Sequence, residues 1–165
     1  RIAKQLDGKQ PALIYIEEAW FMLAEERFAR KIDDWLRTLA KKNAFLIMAT
    51  QSLQEISKSA IFATIIDNIP NRIFLPNDSA YAHIDLYTKQ FSLNSEQVER
   101  IRTAERKRHY YIVTPQLSRM VDVRLPKSIL ACVRSDGKAQ KIFTKHWMSG
   151  HDDWKSNYCE EVCRV

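Results

Sequence analysis

The sequence predicts an α/β fold, and three observations carry that prediction. Residues 12–16 (Ala-Leu-Ile-Tyr-Ile) and 44–50 (Ala-Phe-Leu-Ile-Met-Ala-Thr) are apolar on both alternating faces, as strands inside a parallel sheet are. Between them, Phe28, Ile32, Trp35, Leu36 and Leu39 recur at the spacing of one helical face. Strand, long helix and strand make a βαβ unit, which places the two strands side by side and parallel.

In chain order, residues 1–10 read as the end of a helix (Ile2, Leu6), stopped by Asp7-Gly8 with Pro11 just beyond. The strand at 12–16 runs into Glu17-Glu18. A helix is expected over 21–42, with Glu26–Arg30 and Asp33–Arg37 as i,i+4 ion pairs on its wet side. The strand at 44–50 ends in Gln51-Ser52. Short helices are expected over 53–57 and 60–68, then a third strand over 72–75 that ends at Pro76-Asn77. A helical pattern covers 79–91. Asn94 with Gln97 three residues on is a capping-box signature, and Leu93 can staple to Val98. Residues 110–114 are β-rich. Val121, Val123 and Leu125 alternate with polar neighbours, so the two stretches should form an antiparallel hairpin at the sheet edge. Helices over 127–133 and 139–148 follow. A last helix places Trp154, Tyr158 and Val162 on one face.

Length and composition narrow the class. A chain of 165 residues with 45% hydrophobic content can bury one real core, so a single domain over 1–165 is expected. Three glycines and five prolines exclude collagen and low-complexity disorder. Three cysteines, an odd number, suit a reducing compartment better than a disulfide scaffold. The longest apolar run, residues 44–49, is far short of the roughly 20 residues of a membrane span. A net charge of +6 permits contact with nucleic acid or anionic lipid without requiring it. The chain opens at Arg1 on helix-like sequence and reads as a piece of a longer protein.

The chemistry-bearing residues sit at strand ends. In open α/β sheets, ligands bind at the carboxyl ends of the strands. There Ile14-Tyr15-Ile16 runs directly into Glu17-Glu18. One carboxylate can hold Mg²⁺, directly or through water, and its neighbour can deprotonate a water. Hydrophobics followed by acids is the Walker B pattern, although short strands often end in acids. Gln51 follows the second strand at the equivalent depth. A glutamine has no acid–base role and would act by hydrogen bonds.

Four motifs occur together in order: Leu13-Ile-Tyr-Ile-Glu-Glu-Ala-Trp20, Asp34-Trp-Leu-Arg-Thr-Leu39, Ala49-Thr-Gln-Ser52 and Ile73-Phe-Leu-Pro-Asn77. Together they resemble the CagE/TrbE/VirB family of large ATPases of type IV secretion and conjugation, the TrbE-like branch above all. The resemblance implies a partial RecA-like P-loop NTPase core, with parallel strands, flanking helices and an edge hairpin. The chain would be the C-terminal portion of that ATPase domain, from the Walker B strand onward. It also implies ATP and Mg²⁺, hexamer-type self-assembly, other inner-membrane secretion components as partners, and a peripheral place on the cytoplasmic face of the bacterial inner membrane.

Position by position, the resemblance makes Glu17 the metal-side acid, Glu18 the catalytic glutamate and Gln51 the polar sensor of the γ-phosphate. The family more often has Asp at the first acid. Glu17 is one methylene longer, so its metal geometry must shift or gain a water. A neighbour's arginine would complete such a site, and Arg72, Arg106 and Arg108 are the candidates. Surface solubility is the simpler reading of any one of them. The stretch Arg100–His109 could instead touch DNA phosphates, with Tyr110 and Tyr111 as stacking groups. The Walker A segment is absent: glycines at 8, 137 and 150 cannot make G-x-x-x-x-G-K-[ST]. The chain alone is therefore expected neither to hydrolyse ATP nor to bind it tightly. A DNA-pumping motor of the coupling-protein kind and a non-catalytic docking module are the rival readings. No metal site besides Mg²⁺ is expected, because Cys159 and Cys163 with His146 and His151 lack zinc-ribbon spacing and Cys132 is distant. Trp20 reads as core, or as a wall of the nucleotide pocket.

Overall fold

The computed structural model describes Leu6 and residues 8–164. The helix end expected over 1–10 falls mostly outside the described residues. Those residues form two compact units, one running to Asp122 and the other from Val123 onward. It is a mixed α/β structure with one small parallel and one antiparallel sheet.

The first unit opens with β1 (Ala12–Ile16), α1 (Ala19–Ala24), α2 (Glu26–Thr38) and β2 (Ala44–Met48). β1 and β2 pair in parallel, with Ala12 opposite Ala44 and Ile16 opposite Met48, as the βαβ reading requires. The helix between them is not continuous over 21–42. It breaks at Glu25, which is extended, and ends in a 3₁₀ turn at Leu39–Lys42. Phase explains the break. Leu23 and Ile32 are both buried, yet in one unbroken helix of about 3.6 residues per turn they would lie on opposite faces. Asn43 then takes the left-handed conformation (φ 52°) and turns the chain into β2, a place where Asn substitutes for Gly.

The expectation that both strands are covered on both faces needs correction. Ile14, Ile16, Leu46 and Met48 pack on a core that includes Ala19, Leu23, Ile32 and Ile65. On the other face Leu13, Tyr15, Phe45 and Ile47 are 63, 57, 61 and 49% exposed. The helices between and after the strands, α3 (Leu53–Ser57) and α4 (Phe62–Asn68) among them, add Ile56, Ile61 and Ile65 to the covered side. The bare face therefore carries core-type residues with no cover among the described residues.

The third strand also departs from expectation. β3 (Arg72–Phe74) does not join the parallel pair. It runs antiparallel to β4 (His109–Val113), which pairs with β5 (Ser118–Asp122) as the expected hairpin. Phe74 lies opposite Tyr111, and both turn into a second core with Phe91, Val98 and Ile101. Opposed residues on one face are the unit of sheet stabilisation, so this core recruits β3. The second hairpin strand ends earlier than its alternation suggested. Met120, opposite Tyr111, supplies the inward residue, and Val123 and Leu125 lie beyond the strand. Residues 79–91 form a 3₁₀ turn (Ala80–His83) and a π turn (Leu86–Gln90) rather than one helix. Tyr87 and Phe91 leave that stretch to pack against Phe74, at 6.0 and 5.9 Å between ring centroids. Phe62 contributes to both cores and meets Phe91 edge-on at 5.6 Å.

Helix α5 (Ser95–Thr103) starts as its sequence announces. The Asn94 side chain accepts from the Gln97 backbone N–H, and the Gln97 side chain accepts from that of Asn94, both at 2.8 Å. Replacing Asn94 with Ala should cost about 1 kcal/mol of stability, seen as a lower urea midpoint at unchanged slope. Asn94→Ser should recover most of it.

The second unit consists of α6 (Lys127–Val133), α7 (Gly137–Met148) and α8 (Trp154–Arg164) around Ala131, Tyr158 and Val162. The Tyr158 hydroxyl donates to the Ala131 carbonyl at 2.8 Å. Arg134 clamps Asp136 through two nitrogens and holds its carboxyl well below the usual range. Asp136 in turn caps α7, which is why that helix begins before Ala139. No helix among the described residues is long and apolar enough to cross a membrane.

Candidate functional site

Because β1 and β2 run parallel and in register, their carboxyl ends lie side by side. The ladder continues past both strands. Ala49 N–H donates to the Ile16 carbonyl at 2.8 Å, and Ala19 N–H donates to the Ala49 carbonyl at 2.9 Å. Ala19 is fully buried. These two bonds fix the backbone on either side of Glu17 and Glu18.

The chain turns from β1 into α1 at Glu18, which holds φ 51° and ψ 47°, the left-handed region. A non-glycine residue there costs about 1–2 kcal/mol. Such outliers cluster at functional sites. Glu18 is half-buried and Glu17 exposed. The Glu18 carboxylate accepts at both oxygens: Trp20 Nε1–H donates to Oε2 at 2.7 Å, and the Gln51 amide donates to Oε1. The two strand-end residues singled out from the sequence, Glu18 and Gln51, are thus in direct contact. On the β2 side, the Ser52 backbone N–H donates to Thr50 Oγ1 at 3.1 Å. The Ser52 hydroxyl caps α3 by accepting from Glu55 N–H, also at 3.1 Å. Gln51 is therefore presented from a backbone held on both sides.

Chemically, this arrangement offers two adjacent carboxylates of different character. Exposed Glu17 fits a water-mediated ligand of a divalent cation, which takes one or two carboxylates and completes its shell with water and phosphate. Glu18, held by two N–H donors, is oriented as a fixed acceptor. Among the described residues, no group of three or more His, Cys, Asp and Glu converges as a metal-holding cluster.

The candidate arginines make their contacts elsewhere. Arg72 donates to the carbonyls of Phe91 (3.1 Å) and Ile69 (3.4 Å), tying β3 to the second core. Arg106 pairs with Asp78 at 2.7 Å. Arg108 is bidentate on Asp122 and also meets Glu105. Arg100 and Arg102 pair with Glu96 and Glu99. Sequence reading counted the cations of residues 100–109 and missed these acids. Glu96 and Glu99 were legible at helical spacing, whereas Asp78 and Asp122 come from other elements. Also missed was the role of the Trp20 N–H. An acid two residues before a tryptophan at a strand-to-helix turn is the signal that points to it. In the second unit, Cys132 is exposed and Cys159 and Cys163 are part-buried, all three free. His146 and Lys145 are engaged by Glu161.

No protein-family model matches the chain. Among curated proteins, it is 36% identical to a probable conjugal transfer protein TrbE of Sinorhizobium fredii, over 97% of this chain and 24% of that protein. It is 37% identical to the conjugal transfer protein TrbE of Rhizobium radiobacter, over 84% of this chain and 17% of the relative. It is 32% identical to the type IV secretion system protein VirB4 of Bartonella henselae, over 76% of this chain and 16% of the relative. The chain thus spans a quarter or less of the length of each of these relatives.

Proposed function

The chain is homologous to a segment of the TrbE/VirB4/CagE family of type IV secretion and conjugal-transfer proteins, and on that premise we propose that it is the Walker B half of an ATP-hydrolysing motor. The observation that carries this reading is the contact of Glu18 with Gln51 at the adjoining ends of two parallel strands. A RecA-like core needs an acid and a polar sensor at that place. The rest of the ATPase domain, with its phosphate-binding loop, lies upstream in the longer protein and covers the bare sheet face of Leu13, Tyr15, Phe45 and Ile47.

In this reading Glu17 would hold Mg²⁺ through water, and the ion would supply charge neutralisation on the phosphates. Glu18 takes a proton from the attacking water. Gln51 senses the γ-phosphate by its amide. An arginine from a neighbouring subunit of a hexamer-type ring completes the site; Arg106 is the most exposed of the candidates and, among the described residues, is held by a surface pair with Asp78. The motor works at the cytoplasmic face of the inner membrane with other secretion components, and powers pilus assembly and substrate transfer.

The test has two arms. The full-length protein should hydrolyse Mg-ATP and stop when the metal is chelated. Calorimetric titration of the 165-residue chain with Mg-ATP should show no micromolar binding, because no phosphate cradle or Walker lysine is present. Tight binding by the chain alone would refute the division of labour proposed here. A folded, assembled full-length protein without ATPase activity would transfer the reading to a docking module.

A further inference from the structure

We propose that Trp20 is a positioning residue for Glu18: its indole N–H pins one carboxylate oxygen and leaves the other, the one Gln51 occupies, as the working atom. This deepens the reading of Glu18 as the base and rests on it.

The placement follows from backbone geometry. Glu18 is held left-handed between two fixed points, with Ala19 N–H on the Ala49 carbonyl and Phe21 N–H on the Glu18 carbonyl at 3.0 Å. Trp20 sits in the first turn of α1, where side chains lean back toward the helix N-terminus. That lean carries its Nε1–H to Glu18 Oε2 at 2.7 Å. Phe21 packs edge-on against the indole, 5.9 Å between centroids at 82°.

The chemistry of the indole suits the task. Its N–H is a donor only and does not titrate, so it cannot compete with Glu18 for a proton. A hydrogen bond to a charged acceptor is about twice as strong as a neutral one. With Oε2 fixed, the carboxylate cannot swing about its terminal bond. Oε1 then faces the exit of β2, where the Gln51 amide meets it. For Glu18 to accept a proton, Oε1 must exchange the Gln51 N–H for the O–H of a water. Trp20 keeps the carboxylate aimed during that exchange. Gln51 cannot perform this holding role, because it is the partner that leaves.

The experiment uses the full-length protein that carries this chain, with Trp20→Phe, which keeps an aromatic ring and deletes the N–H. The expected result is a fall in kcat of about tenfold, the worth of one charge-assisted hydrogen bond, with KM for ATP unchanged. A raised KM at unchanged kcat would show that Trp20 lines the nucleotide pocket instead, and would overturn the proposal. So would unchanged kinetics. A second readout does not need activity. With ¹⁵N-labelled indole, the resonance lost in Trp20→Phe is that of Trp20, and Glu18→Ala should move it upfield as its acceptor disappears. A Trp20 resonance indifferent to Glu18→Ala refutes the hold. If the unaltered protein hydrolyses no ATP, the functional reading fails, and the indole resonance alone decides whether Trp20 holds Glu18.

Discussion

Glu18→Gln in the full-length protein should reduce ATP turnover about a hundredfold to ten-thousandfold, the usual contribution of a general base, while Mg-ATP still binds. The substitution is nearly isosteric. Its amide oxygen can still accept from Trp20, so the turn from β1 into α1 is retained. What it loses is the capacity to take a proton from water. The backbone supports this assignment independently of the family. A glutamate at φ 51° occupies a position that Gly or Asn would fill with less strain. Its side chain reaches two donors there, one from α1 and one from the exit of β2. Strain held in place by surrounding bonds is a mark of a working residue. Glu17→Gln should behave differently. It should raise the Mg²⁺ concentration needed for half-maximal rate, because Glu17 is exposed and, in the proposed reading, is the acid that would hold the cation through water. Steady-state turnover, with single-turnover binding of labelled ATP, separates the two. Turnover that survives Glu18→Gln would move the base elsewhere.

Much of this arrangement was legible because its signals are local. The apolar runs at Ala12–Ile16 and Ala44–Met48 have strand length, and the amphipathic stretch between them forces a crossover. Parallel register then places Glu18 near Gln51 with no further information. The Asn94–Gln97 box is written in four residues and formed as written. What was not legible depends on partners distant in sequence. The break at Glu25 reflects two buried stripes out of phase, visible only once Leu23 and Ile32 are both known to be buried. The residues of β3 show a strand but not its partner, which Phe74 sets by lying opposite Tyr111 and packing on Phe91. The basic stretch 100–109 shows its cations in sequence, but not that Asp78 and Asp122, from other elements, pair with Arg106 and Arg108. Two-sided apolarity in β1 and β2 predicts cover on both faces, yet the described residues supply it on one only.

That asymmetry sets the second large effect. Ile32→Ala in the 165-residue chain should cost about 2–5 kcal/mol, a large share of the roughly 5–15 kcal/mol that holds a domain folded. Ile32 is 1% exposed and packs in the core that includes Ile16 and Ala19. Those two residues flank the acids, one ending β1 and the other opening α1. A cavity at position 32 therefore loosens the seat of Glu17 and Glu18 as well as the fold. Ile32→Val removes one methyl and should cost about 0.5–1.5 kcal/mol. Tyr15→Ser, on the bare face of the same sheet, should change the urea midpoint of the chain little, because Tyr15 is 57% exposed and loses few contacts. In the full-length protein the order should tighten: if an upstream segment covers that face, Tyr15→Ser becomes a core substitution and its cost approaches that of Ile32→Ala. Equal and small effects of Tyr15→Ser in both proteins would show that the face stays open, and would remove the physical reason for placing the rest of the ATPase domain against it.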